Sequence, residues 1–269
     1  MHVQTSRRRR ARAAAGFGVL VVLVSACGPD VAAPPPPPPP TDPTRVVMYG
    51  DAVTGEVVAP VRSRLGGVSS ILARVSAGSA VCDVLPTIAT DASDPALDVA
   101  VVQFSGSAGS PCMAAAISEP DRTIKYAADL ATALTALTVD PTRTVLVLSS
   151  PITWSADPVV AEPPQHAFNL AFEQVVIDWQ NAHGGSTRVE FVDAGATVTD
   201  SGHFAWTLPC LPGETVAMGC RLGANTILVR APDGQGFCPI TPQLACPPHS
   251  SSGARRYADA VADQILPIL

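Results

Sequence analysis

Five short runs rich in β-branched residues mark the chain after residue 45: Val46–Tyr49, Leu97–Phe104, Thr144–Leu148, Val189–Val192 and Thr226–Val229. They are nearly continuous in apolar residues, so each must be covered on both faces. An alternating run would leave one face in water. Most of the gaps between them are long enough for a helix, as parallel neighbours require. In Arg122–Leu137 the residues Ile124, Ala127, Ala128, Leu130, Ala131, Leu134 and Leu137 recur every three or four positions, with Lys125 and Asp129 on the polar side. Phe168, Ala171, Phe172, Val175, Val176 and Trp179 trace another helix, and Tyr257, Val261, Ile265 and Leu266 a last one. The expected class is α/β, a three-layer α/β/α sandwich on a mainly parallel sheet of about five strands. Residues 45–269 suffice for one domain with a substantial core.

The N-terminal segment has another character. Arg7, Arg8, Arg9, Arg10 and Arg12 precede the apolar stretch Gly16–Val24, which is too short to span a bilayer stably. This pattern predicts a signal peptide over 1–26. Export through the general route or, given Ser6-Arg7-Arg8, through a twin-arginine route is open. Val24-Ser25-Ala26-Cys27 resembles the bacterial lipobox, which implies cleavage before Cys27 and a lipid on its sulfur. Residues 27–44 form a linker in which Pro34–Pro40 are seven consecutive prolines, expected to extend by roughly 3 Å per residue as a stalk. The expected location is the outer face of a bacterial cytoplasmic membrane, in the cell envelope.

Charge narrows the partners. Of 17 Lys and Arg against 23 Asp and Glu, five arginines and no acidic residue fall in 1–26, leaving 12 basic against 23 acidic and a net charge of −11. Nucleic acid is excluded as an expected partner. Seven cysteines less Cys27 leave Cys82, Cys112, Cys210, Cys220, Cys238 and Cys246. An even number in an exported chain predicts disulfides, with many pairings open. Short separations favour Cys210–Cys220 and Cys238–Cys246 as loop staples, leaving Cys82 with Cys112. No pair has the two-residue spacing of a zinc ribbon, and no cofactor or metal is expected.

In parallel sheets, sites collect beyond the carboxyl ends of the strands. There the chain reads Gly50-Asp51-Ala52-Val53, then Ala77-Gly78-Ser79 after a further strand, then Ser105-Gly106-Ser107-Ala108-Gly109-Ser110-Pro111-Cys112, and finally Asp233-Gly234-Gln235-Gly236-Phe237-Cys238. Order and spacing resemble the SGNH hydrolases, also called GDSL esterases, over essentially all of 45–269. The likeness is closest to their exported actinobacterial members. It implies a flavodoxin-like sandwich and an ester-cleaving site built from four blocks. Gly50 and Asp51 match the first block, whose nucleophilic serine position is Ala52. Gly78 matches the backbone donor of the oxyanion hole. The asparagine that would complete that hole is replaced by Ser107. Asp233 matches the last block, but the histidine base position is Gly236.

The missing groups are the reactive ones. Acyl transfer by this route needs an oxygen nucleophile, an imidazole to take its proton and donors for the oxyanion. A methyl group at Ala52 supplies no nucleophile, and losing one member of such a triad already costs orders of magnitude in rate. Two readings follow: a pseudoenzyme that binds an acylated envelope glycan, an acyl lipid or a protein partner, or an active envelope ester hydrolase or acyltransferase with relocated groups. Ser105, Ser107, Ser110 and His203 are the candidates for relocation, without a Gly-x-Ser-x-Gly elbow to support them. His166, His183 and His249 are expected in capping or surface roles, and Asp51 and Asp233 as structural turn residues.

Overall fold

The computed structural model describes residues 43–116, 118–154, 164–221, 223–231, 233–237 and 252–269. The signal segment, Cys27, the proline stalk, Cys238, Cys246 and His249 lie outside the described residues. The central sheet contains β1 (Thr44–Gly50), β2 (Ser69–Val75), β3 (Leu97–Gln103), β4 (Thr144–Leu148) and β5 (Val189–Val192) in the order β2-β1-β3-β4-β5. Every pairing in it is parallel.

Alternate residues of one strand feed opposite layers. Val47, Tyr49, Ala100, Val102, Val145 and Val147 pack with α2 (Val81–Asp91), α3 (Glu119–Leu137) and α4 (Pro164–Ala182). Val46, Met48, Val99, Val101, Leu146 and Leu148 pack with α1 (Ala52–Leu65) and α5 (Ser252–Ile265). The three-layer α/β/α class is therefore as expected, and burial on both faces explains why the strands show no alternation. Each buried Val, Leu or Met among them contributes about 1.5–3 kcal/mol.

Two expectations need correction. Thr226–Leu228 is not in the sheet; it is β9, paired antiparallel with β8 (Thr207–Pro209) in a separate ribbon. Ile227 is buried and Leu228 half-exposed, so this run is one-sided despite its composition. The fifth sheet strand is instead β2, whose Ser69, Ser70 and Arg74 fit an edge that is only partly covered. On α3, Ile124 is exposed, because the buried stripe is centred on Tyr126, Leu130, Ala133, Leu134 and Leu137. Lys125 and Asp129 do pair, at 2.9 Å.

Polar groups tie the layers together. Arg143, fully buried, donates to the carbonyls of Leu97, Ala92, Leu137 and Asp94 at 2.9–3.2 Å, closing loop and helix ends that would otherwise lack donors. The Tyr257 hydroxyl donates to Ser149 O at 2.7 Å, fixing α5 against the end of β4. Disulfides join Cys82 to Cys112 and Cys210 to Cys220, as the spacing argument favoured.

Candidate functional site

All four sequence blocks meet around the first turns of α1. Gly50 ends β1 where nothing larger fits: a Cβ there would lie 1.8 Å from Thr54 Oγ1 and 2.3 Å from Gln103 O. That crowding lets Thr54 donate to the Gln103 side chain at 2.6 Å, locking α1 onto β3. Asp51 is the N-cap of α1 and accepts from Val53 N at 3.1 Å, satisfying a donor that the helix itself cannot. The carboxylate also accepts from Ser105 N at 2.6 Å and Ser105 Oγ at 2.5 Å, joining the first block to the third. Burial raises the Asp51 carboxyl above its usual range, against the opposing effect of the Ser105 bonds.

Ala52 is the first residue of α1 and is exposed, at the helix end that favours developing negative charge. Gly78 holds φ +76°, a left-handed conformation that a side chain would strain, and a Cβ there would lie 3.9 Å from Ser107 Oγ. The second and third blocks are thus neighbours, and the Cys82–Cys112 disulfide links the segments just beyond them. Ser107 accepts from Gly109 N with its hydroxyl and from the Tyr126 hydroxyl with its carbonyl, at 3.3 and 2.9 Å.

The last block closes the site in a way the sequence did not foretell. Asp233 is exposed and accepts from Gln235 N at 2.9 Å and Gly236 N at 3.4 Å, shaping the turn. A Cβ at Gly236 would lie 2.5 Å from Glu56 Oε1 and 2.9 Å from Oε2. Glu56, one helical turn after Ala52, accepts from Phe237 N at 2.6 Å. Position 236, where the resemblance would place a histidine, is therefore a glycine whose side-chain space is taken by the Glu56 carboxylate. Beneath it, Arg230 is buried between Phe204 and Phe237, 5.5 and 5.4 Å from their ring centres, and donates to Gly234 O at 3.1 Å. Burial pulls its guanidinium down to about 10, with Glu56 and Asp233 opposing the shift.

An aromatic group flanks this turn. Trp154 donates its amide to Gly234 O at 3.2 Å, and its ring lies 6.2 Å from that of Trp206, which meets Phe204 edge-on at 4.8 Å. The two tryptophans remain 46 % and 37 % exposed. Aromatic content is only 5 %, and the rings come from loops far apart in the chain, so only the position of Trp154 just beyond β4 hinted at this surface.

The relocation candidates do not assemble. Ser105 gives its hydroxyl to Asp51, and Ser110 caps the turn at Cys112. His166 Nε2 bonds to Gly202 O at 2.9 Å, and His183 caps α4 against Trp179 O at 2.7 Å. His203 is exposed in β7 (His203–Phe204), which pairs with β6 (Thr199–Asp200). Among the described residues no hydrogen bond joins a histidine to a serine or a cysteine. Nor does any group of three or more His, Cys, Asp or Glu among them suit a metal ion.

Known proteins share this fold at low identity. The aryl esterase of M. smegmatis superposes with a TM-score of 0.51 at 13 % identity, covering 84 % of this chain and 100 % of that one. A proposed acylhydrolase from Bacteroides fragilis has TM-score 0.50 and 14 % identity, with 85 % and 89 % covered. A proposed arylesterase from Agrobacterium tumefaciens has TM-score 0.50 and 10 % identity, with 84 % and 100 % covered. No protein-family model and no curated protein matches the chain. The parallel sheet and its flanking helices are those of the SGNH-type esterase fold.

Proposed function

We propose that this chain is a catalytically silent SGNH-type domain, tethered to the outer face of a bacterial membrane through a lipid on Cys27, that binds an acylated envelope glycan in its degenerate cleft. The observation that carries this reading is the pair Ala52 and Glu56: a methyl group stands where the attacking oxygen belongs, and a carboxylate held by the Phe237 amide fills the space of the base. Such a site cannot run the serine route. It does keep Gly78 and Ser107 side by side at the mouth, and half-exposed Trp154 and Trp206 at its rim offer flat apolar faces with a polar edge, suited to a sugar ring. An ester hydrolase with relocated groups has the fold likeness in its favour, but no Ser–His pair among the described residues.

The test is a reconstruction. The wild-type chain is expected to hydrolyse p-nitrophenyl acetate at the background rate. Ala52→Ser, Ser107→Asn and Gly236→His together should stay near that rate while Glu56 remains, and adding Glu56→Ala should raise turnover by roughly 100-fold or more. Inhibitor-sensitive turnover by the wild-type chain would overturn the reading. Binding is checked by titrating O-acetylated against de-O-acetylated glycan fragments, with Trp154→Ala and Trp206→Ala expected to weaken the former.

A further inference from the structure

A cavity of about 150 Å³ opens at the β4–β5 side of the sheet. Its lining includes none of Ala52, Glu56, Gly78, Ser107 or Gly236. One wall is a face of α4, where His166, Asn169, Leu170 and Glu173 follow helical spacing. The other comes from the ends of β4 and β5, and Gly195 shows how tightly those ends are joined. A Cβ there would lie 2.7 Å from Ser150 O and 2.9 Å from Ser149 Oγ, so the floor holds its shape only with glycine.

The hydrogen bonds already made in the lining define what a ligand must bring. Asn169 grips one backbone unit, accepting from Ser150 N at 2.7 Å and donating to Ser150 O at 2.8 Å, which leaves one amide N–H. His166 Nε2 faces the Gly202 carbonyl, which can only accept, so Nε2 carries the proton and Nδ1 of the neutral ring is an acceptor. Asp193 accepts from Ser149 Oγ with one carboxylate oxygen, at 2.7 Å, and has a second. Glu173 adds another carboxylate, and no Lys or Arg is among the described residues of the lining. Apart from that one Asn169 N–H, the side-chain polar capacity left over is accepting and negative. Ile152, Leu170 and Phe191 supply an apolar side.

We propose that this cavity binds a small organic cation, a primary ammonium carried on a compact body with an apolar face. Donors on the ammonium meet the acceptors that the lining leaves over, while the body covers Ile152, Leu170 and Phe191. A metal ion fits less well, because no group of three or more metal-ligating side chains forms among the described residues. The site goes beyond the cleft reading and does not depend on it.

The experiment titrates the full-length chain with glucosamine and cyclohexylamine, using glucose, N-acetylglucosamine and cyclohexanol as uncharged counterparts, by calorimetry and ligand-detected NMR. Saturable binding of the amines is expected, at least ~10-fold tighter than that of the uncharged counterparts, because a charged hydrogen bond is lost in the latter. Glu173→Gln should weaken amine binding by ~10-fold. Ala196→Phe, which fills the cavity from an exposed position, should abolish it, while Asp263→Asn, a distant change of equal charge, should leave it unchanged. Thermal unfolding confirms that each variant is folded. Absence of saturable amine binding, equal binding of the uncharged counterparts, or affinity unaffected by both Glu173→Gln and Ala196→Phe in folded protein would each overturn the proposal.

Discussion

At the scale of single residues, the motif positions Gly50, Asp51, Gly78 and Asp233 each have structural work. Gly50 permits the closure of α1 onto β3, Asp51 caps α1 and holds Ser105, Gly78 adopts a left-handed turn, and Asp233 shapes the last one. Ala52 is exposed, and Ser107 needs its hydroxyl only for one local amide. Gly50→Ala is accordingly expected to destabilise by about 3 kcal/mol through overpacking, whereas Ala52→Ser should change stability by less than about 0.5 kcal/mol; urea unfolding midpoints of the two variants check this. The four blocks were legible from the chain because turns and caps demand particular residue types. Glu56 was not legible: it stands outside every motif, and its effect exists only where α1 meets the Phe237 amide, 181 residues away.

At the scale of elements, legibility followed periodicity. The uninterrupted stretches α3, α4 and α5 stood out in the sequence, whereas α1 and α2 contain Pro60 and Pro86, each of which removes a helix donor and disguises the pattern. The ribbon of β8 and β9 misled for the opposite reason. Thr226–Val229 has the composition of a buried strand, and only pairing with Thr207–Pro209 shows it to be one-sided. Arg143 is the residue on which the α2–β3 and α3–β4 connections both depend, since four carbonyls share its guanidinium. Arg143→Leu keeps volume but strips those acceptors, and about 3 kcal/mol or more should be lost, measured by chemical denaturation. Amide exchange should quicken first at the carboxyl end of α3, where Leu137 O loses its donor.

At the scale of the whole molecule, one ion pair makes folding depend on acidity. Glu214, in the loop closed by Cys210–Cys220, accepts from Arg256 of α5 at 2.6 and 2.9 Å and from the Ser252 hydroxyl. Burial alone would raise its carboxyl, but those bonds and the Leu211 amide outweigh it and hold the group at about 2 against an ordinary 4.5. A lowered folded value means that the stabilisation is complete above about 4.5 and fades as the pH falls toward about 2. Asp51, shifted upward by burial, works in the opposite sense and blunts the slope. The gap in unfolding midpoint between wild type and Glu214→Gln should therefore be widest near pH 6 and nearly closed at pH 2. The Glu56 carboxylate has a consequence for how the chain closes on itself. It accepts from the Phe237 amide and occupies the space that a side chain at 236 would need, so the first turns of α1 and the turn before Phe237 constrain each other. A change at either is felt at the other, and the two distant segments behave as a single joint.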